Sequence, residues 1–362
     1  MTSRIRAGER VDSRGNAGSP SIQSEGGEVP IESSHARVTI LRRRARYLPQ
    51  MRLTPLTADL LMLIAAAIWG FGFIAQKEAM DEVGPLTFNA VRFAIGALAV
   101  APLRLFIPRV KPAPTPEGRR AERSLLIRGS ILLGLVVALA SAFQQWGIVG
   151  TDAGPAGFIT GLYVVFTPLV GLLIGIRTGL ATWLGCGLAV VGMWFLGVKA
   201  DTGGFQIDIP SLLVLLGAVG WAVQVQIVGR YSPKTDPIEL TVLQFTVVAI
   251  TTFIAALLIE GPEQALGIGR ALREATWEIL YSGVLAIGVA FFLQIVAQRK
   301  SPPAHVAILL SLEAVFAALG GWWLLGETYD ERTMIGCGFM LAGIVASQLP
   351  RFVGRRAPIS QP

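Results

Sequence analysis

The sequence predicts an all-α polytopic membrane protein, with ten transmembrane helices forming two inverted five-helix repeats. Three observations carry that prediction. Of the 362 residues, 52% are hydrophobic and only 15% charged, against about 25% charged in soluble domains; mean hydropathy is +0.58. The apolar residues fall into ten runs of roughly the 20 residues that a bilayer-spanning helix needs. Landmarks in the first five runs recur in the last five at a nearly constant offset.

Residues 1–52 stand apart. They are rich in Ser, Gly and Arg and hold no apolar run. Without such a run they are not a cleavable signal peptide and read as a disordered, basic cytoplasmic tail. Its run "RVTILRRRAR" (37–46) either sets topology or grips anionic lipid. An organellar transit peptide is a further reading, opposed by Glu9, Glu25, Glu28 and Glu32. Met51, opening "MRLTPLTADLL", offers an alternative start. The predicted spans are 57–77, 85–107, 127–149, 155–176 and 179–198 in a first repeat (53–200). Spans 210–229, 238–259, 277–298, 303–325 and 333–350 form a second (201–350), before a cytoplasmic tail at 351–362. Gly, Pro and charged residues mark the breaks between them.

Charge sets the orientation. With the N-terminus inside, loops 108–126, 177–178, 230–237 and 299–302 and the flanking stretches 37–52 and 351–362 hold nineteen Lys and Arg. The other side has five: Lys77, Lys199, Arg270, Arg273 and Arg332. The positive-inside rule therefore places both termini in the cytoplasm of a protein of the cell membrane. This distribution accounts for the net charge of +7 without invoking nucleic acid. Two cysteines and two histidines are too few for a disulfide framework or a zinc cluster, and neither a metal nor another cofactor is implied. There is no Walker sequence to draw on ATP and no pair of acids suited to hydrolysis, so the chain does not read as an enzyme.

The repeat is legible in three places. "VVFTPLVG" (164–171) matches "AVFAALGG" (314–321) at an offset of 150, and "LGCGLAVVG" (184–192) matches "IGCGFMLAG" (335–343) at 151. Trp69, Pro85 and Phe93 match Trp221, Pro237 and Phe245 at 152. Five spans is an odd number, so the second unit enters the membrane from the opposite side. Inverted repeats let two halves exchange roles around one central site, a construction of secondary transporters.

Ionisable residues inside a membrane are candidates for function. Glu313 lies ten residues into span 9, about 15 Å deep. It reads as a proton-coupling or substrate-binding carboxylate, or as a structural polar link. Its repeat equivalent is Tyr163. Arg92, about 10 Å deep, either pairs with Glu313, binds an anionic group, or serves as a cap or snorkelling side chain. Its equivalent is Gln244. His305, where span 9 begins, is a relay candidate or a plain polar terminus. Among the amides of the spans, Gln144 and Gln294 are repeat equivalents and candidate cavity residues; Trp69 and Trp221 either stack on a solute or pack. Pro168 should kink span 4, a candidate gate. Gly185 with Ala189, and Gly338 with Ala342, give small-xxx-small faces suited to helix packing or to a homodimer contact.

The same residues carry a resemblance. "AAAIWGFGFIAQKEAM" and "GPLTFNAVRF" (65–80 and 84–93) resemble the opening, and "SLEAVFAALGGWWLLGETYDERTMIGCGFMLAGI" (311–344) the close, of the EamA family in the drug/metabolite transporter superfamily. It covers roughly 57–350. Two departures stand out: "GIRTGLA" (175–181) lacks the acidic pair kept in "LGETYDE" (325–331), and Ala314 stands where proline is frequent. The resemblance implies a ten-helix transporter in the lipid bilayer, with helices 1–4 and 6–9 around a cavity and helices 5 and 10 as scaffold. The expected function is secondary active transport, in the export direction, of a small organic solute, a metabolite or amino-acid-like molecule. The alternative is a non-transporting membrane interaction or sensory protein on the same scaffold.

Overall fold

Prolines open the long helices. A proline at the first helical position loses nothing by lacking an N–H, and its fixed φ suits the helix. In the computed structural model α1 (Pro55–Ala79), α2 (Pro85–Val100) and α3 (Pro116–Gly150) all begin this way. The residues described are 53–107, 115–151, 153–197, 209–324 and 331–352; the basic segment 1–52 and residues 353–362 lie outside them. There follow α4 (Ala153–Gly161), α5 (Tyr163–Leu173), α6 (Leu180–Gly197), α7 (Ile209–Tyr231) and α8 (Pro237–Ile259). Next come α9 (Thr276–Lys300), α10 (Pro303–Leu310), α11 (Glu313–Leu324) and α12 (Glu331–Phe352). No strand occurs among the described residues.

Among the described residues eight helical rods are long and apolar enough to cross a membrane; the counterparts of the fifth and tenth predicted spans, α6 and α12, hold only the shorter apolar stretches Leu180–Gly192 and Met334–Gly343. Leu98, Leu139, Leu173 and Leu258 are exposed on the outer faces, as contact with lipid tails requires. Inside, Phe93 and Phe245 meet with ring centroids 5.5 Å apart, and Phe291 joins both.

Two of the spans are interrupted where no proline stands. The rod of α4 and α5 breaks at Leu162, and that of α10 and α11 at Ser311–Leu312. Pro168 lies inside α5, beyond the break. Its missing N–H would leave the Val164 carbonyl unserved, and the Cys186 thiol on α6 donates to that oxygen at 3.3 Å. The interruption in span 4 is thus not where the proline predicts it, because a neighbouring helix repairs the defect.

The two helices α2 and α8 are tied at both ends. Gly84 caps α2 without a side chain, and Pro85 has no N–H, so the first orphan donors are Leu86 and Thr87. Glu260, just past α8, accepts from both N–H groups (2.6 and 3.0 Å) and from the Thr87 hydroxyl (2.6 Å). A Cβ on Gly84 would stand 2.6 Å from that carboxylate, which is why glycine fits there. At the other end, Arg104 pairs with Asp236, the N-cap of α8, at 3.2 Å. Glu260→Ala should lower stability by about 1.5–3 kcal/mol, the usual size for hydrogen bonds to a charged group. A melting temperature equal to wild type would show the cap to be dispensable.

The α6–α12 seam corrects the small-residue faces. Gly192 meets the backbone of Gly336 and Met340, and Gly343 that of Gly185 and Ala189. Gly185 and Ala189 therefore sit in the seam. Gly338 has no neighbour within 4 Å of a built Cβ, and Ala342 is exposed. On a helix of 3.6 residues per turn, 336, 340 and 343 share one face; 338 falls on the opposite one.

Candidate functional site

The breaks in the two interrupted spans deliver Tyr163 and Glu313, each the first residue of its second half-helix, into one central cavity. From α1 come Trp69, Phe73 and Gln76, from α2 Arg92, and from α3 Gln144. The second half contributes Trp221 and Gln224 from α7, and Phe291 and Gln294 from α9. No described residue of α6, α8 or α12 lines it.

Seven of the eight binding candidates read from the sequence therefore meet here: Glu313, Tyr163, Arg92, Gln144, Gln294, Trp69 and Trp221. Gln244 does not. It is fully buried on α8, where Phe245 packs on Phe291 and Phe291 faces the cavity; the aromatic layer separates α8 from the site. Other lining residues, Gln76 and Thr160 among them, were not among the candidates. Gln76 follows Trp69 and Phe73 at i+7 and i+3, so helical period alone marks it; Thr160 sits three residues before Tyr163 in the same way.

Most polar groups of the site hold one another. The Gln144 amide donates to Thr160 Oγ1 and accepts from Trp221 Nε1, both at 3.2 Å. Gln224 and Gln294 exchange amide hydrogen bonds at 3.2 Å. Arg92 donates to Gln76 Oε1 at 2.7 Å and lies 4.9 and 5.4 Å from the ring centres of Phe88 and Phe93. Three polar atoms of lining residues stay without a hydrogen-bonding partner among the described residues: Arg92 Nε, Tyr163 Oη and Glu313 Oε1. Glu313 is 4% exposed, and the Tyr163 hydroxyl is the polar group that faces it.

Trp69 also ties α1 to the wall opposite. Residues Tyr281–Ala290 of α9 form π-helical turns, a feature frequent at functional sites. Trp69 Nε1 donates to the Ala286 carbonyl and the Tyr281 hydroxyl to the Ile68 carbonyl, each at 2.8 Å. Trp69→Phe should keep an aromatic ring but lose the first bond and part of the indole's bulk, costing at least the roughly 1–3 kcal/mol of a carbonyl left unserved. Equal melting of Trp69→Phe and wild type would count against that tie.

Two further charged or titratable side chains have partners between helices. Lys77 Nζ donates to the Ile148 and Val149 carbonyls at 3.1 and 3.2 Å, neutralising the negative end of α3. His305 Nε2 lies 3.1 Å from Asp59 Oδ1, both buried, which joins the starts of α1 and α10. Among the described residues no cluster of three His, Cys, Asp or Glu could hold a metal ion.

The profile of the EamA-like transporter family matches residues 56–198 and, separately, 209–347. The chain belongs to the EamA-like transporter family. Members of that family are transporters rather than enzymes, and the apolar rods are its membrane helices. Among similar proteins is an uncharacterized transporter of Archaeoglobus fulgidus, 28% identical over 81% of this chain and 86% of its own length. The threonine/homoserine exporter of Escherichia coli is 26% identical over 80% and 90%. An S-adenosylmethionine/S-adenosylhomocysteine transporter of Chlamydia muridarum is 23% identical over 79% and 90%. One crystal structure, at 18% identity, aligns with a TM-score of 0.63 over 81% of this chain and 98% of its own, a likeness of fold. An EamA-like transporter implies a small-molecule solute and a lipid surround.

Proposed function

We propose that the chain is a secondary active exporter of a small organic solute, a metabolite or amino-acid-like molecule, working by alternating access around the central cavity. The observation that carries the reading is the pair of interrupted rods: Tyr163 in one half and Glu313 in the other, each just past its break, line one cavity. Discontinuous helices meeting at a central site are how many secondary transporters bind and gate. Two separate family matches, one per half, support an architecture of ten membrane helices in two inverted repeats, α6 and α12 supplying the fifth and tenth. The loop charges support cytoplasmic termini in the cell membrane. The printed function of the Escherichia coli relative supports export.

The test compares intracellular and medium metabolites in cells with and without the protein. Export predicts a solute that accumulates inside cells lacking it and appears faster in the medium when it is overproduced. A solute moving the other way would reverse the direction. No difference in any solute would leave the non-transporting interaction or sensory role.

A further inference from the structure

We infer that the solute recognised in this cavity is a small zwitterion, its carboxylate taken by Arg92 and its ammonium by Glu313; this rests on reading the cavity as the transport site. Both residues line the cavity, and they are 3% and 4% exposed. Burying an ion without a counter-charge is strongly unfavourable. Yet among the described residues neither has one. Arg92 reaches only the neutral Gln76 amide and the Phe88 and Phe93 rings, and its Nε is unpartnered. Glu313 Oε1 is unpartnered, and so is the Tyr163 hydroxyl that faces it.

Two open valences of opposite sign in one chamber ask for a ligand carrying both. A singly charged solute leaves the other ion buried and alone. The assignment of ends follows from donor and acceptor type. A guanidinium only donates and suits a carboxylate; a carboxylate accepts from an ammonium. The repeat does not blur this polarity, because the equivalent of Arg92 is neutral Gln244 and that of Glu313 is Tyr163. The indole N–H groups of Trp69 and Trp221 are already engaged, so with Phe73 and Phe291 they offer the rest of the solute an apolar wall.

The test uses the purified full chain in detergent and follows its melting temperature against leucine, threonine, lysine and glutamate, each with its methyl ester and its N-acetyl derivative. At least one free amino acid should stabilise saturably, and its ester and N-acetyl form should each need roughly tenfold more or fail. Glu313→Gln should erase the penalty for N-acetylation and keep that for esterification; Arg92→Gln should do the reverse. A purely structural role would move both penalties or neither. A derivative equal to its parent, or no response to any of the four amino acids, overturns the inference, and that comparison in the wild-type protein needs no variant to fold. If the metabolite comparison still finds an exported solute, the transporter reading survives that failure; if it finds none, the transporter reading itself falls.

Discussion

In proteoliposomes Glu313→Gln should reduce transport driven by an imposed pH gradient to the level of protein-free vesicles, while exchange of solute at equal pH continues with a raised KM. The side chain is the first of α11, immediately after the break at Ser311–Leu312. It is buried in a chamber shared with Arg92 and lacks a partner on Oε1. A carboxylate held so has its proton governed by what else fills the chamber, and this is the coupling a secondary transporter needs. Glutamine keeps the shape and one acceptor but cannot exchange a proton, so folding should survive. Tyr163→Phe, which removes only the facing hydroxyl, should have the smaller effect. Gradient-driven transport that is unaltered in Glu313→Gln would sink the coupling role and leave Glu313 as a recognition or packing residue. A variant that loses equal-pH exchange along with gradient-driven transport would place Glu313 in binding alone.

What was legible in the sequence is what depends on local chemistry and on repetition. Pro85 and Pro237 mark the starts of α2 and α8 because proline suits the first helical turn. The repeat read in the sequence pairs Trp69 with Trp221, Gln144 with Gln294, and Glu313 with Tyr163, and all six line the cavity. Other features depend on distant partners and leave no local mark. "LSLE" (310–313) holds no strong helix breaker and "TGLY" (160–163) only Gly161, whose cost of about 1 kcal/mol helices often absorb, so neither stretch announces a break. Gly84 looks like a poor cap until Glu260, far along the chain, is seen to fill its place. The two small-residue patterns around 185 and 338 are alike on paper, and only the seam shows that Gly336 and Gly343 carry the contact on α12. Gln244 is equivalent to Arg92 in sequence, but Phe291 stands between α8 and the chamber. Asp59 reads as a charge at a span end, and its partner His305 lies 246 positions away.

The second large effect is expected at Gly70. A Cβ there would lie 2.5 Å from Phe316 Cβ, 2.6 Å from the Glu313 carbonyl oxygen and 2.8 Å from the Ala317 nitrogen. Two of these atoms are backbone, so no rotamer change relieves the overlap; α1 and α11 must separate. Overpacking commonly costs about 1–3 kcal/mol, and Gly70→Ala should fall at the upper end of that range. Gly338→Ala is the matched control, because a Cβ there meets nothing within 4 Å, and alanine gains up to about 1 kcal/mol over glycine in a helix. The control should melt at or above the wild-type temperature, and Gly70→Ala below it. Equal melting of Gly70→Ala and wild type, with transport unchanged, would show that α1 and α11 are not in such close contact. The Gly70 effect should also reach transport before it reaches folding. The displaced backbone is the first turn of α11, and Glu313 rides on it, so a shift of a few tenths of an ångström moves the carboxylate relative to Arg92 and Tyr163 while the hydrophobic core of the bundle is still intact. Transport measured well below the melting temperature of Gly70→Ala should therefore already be impaired.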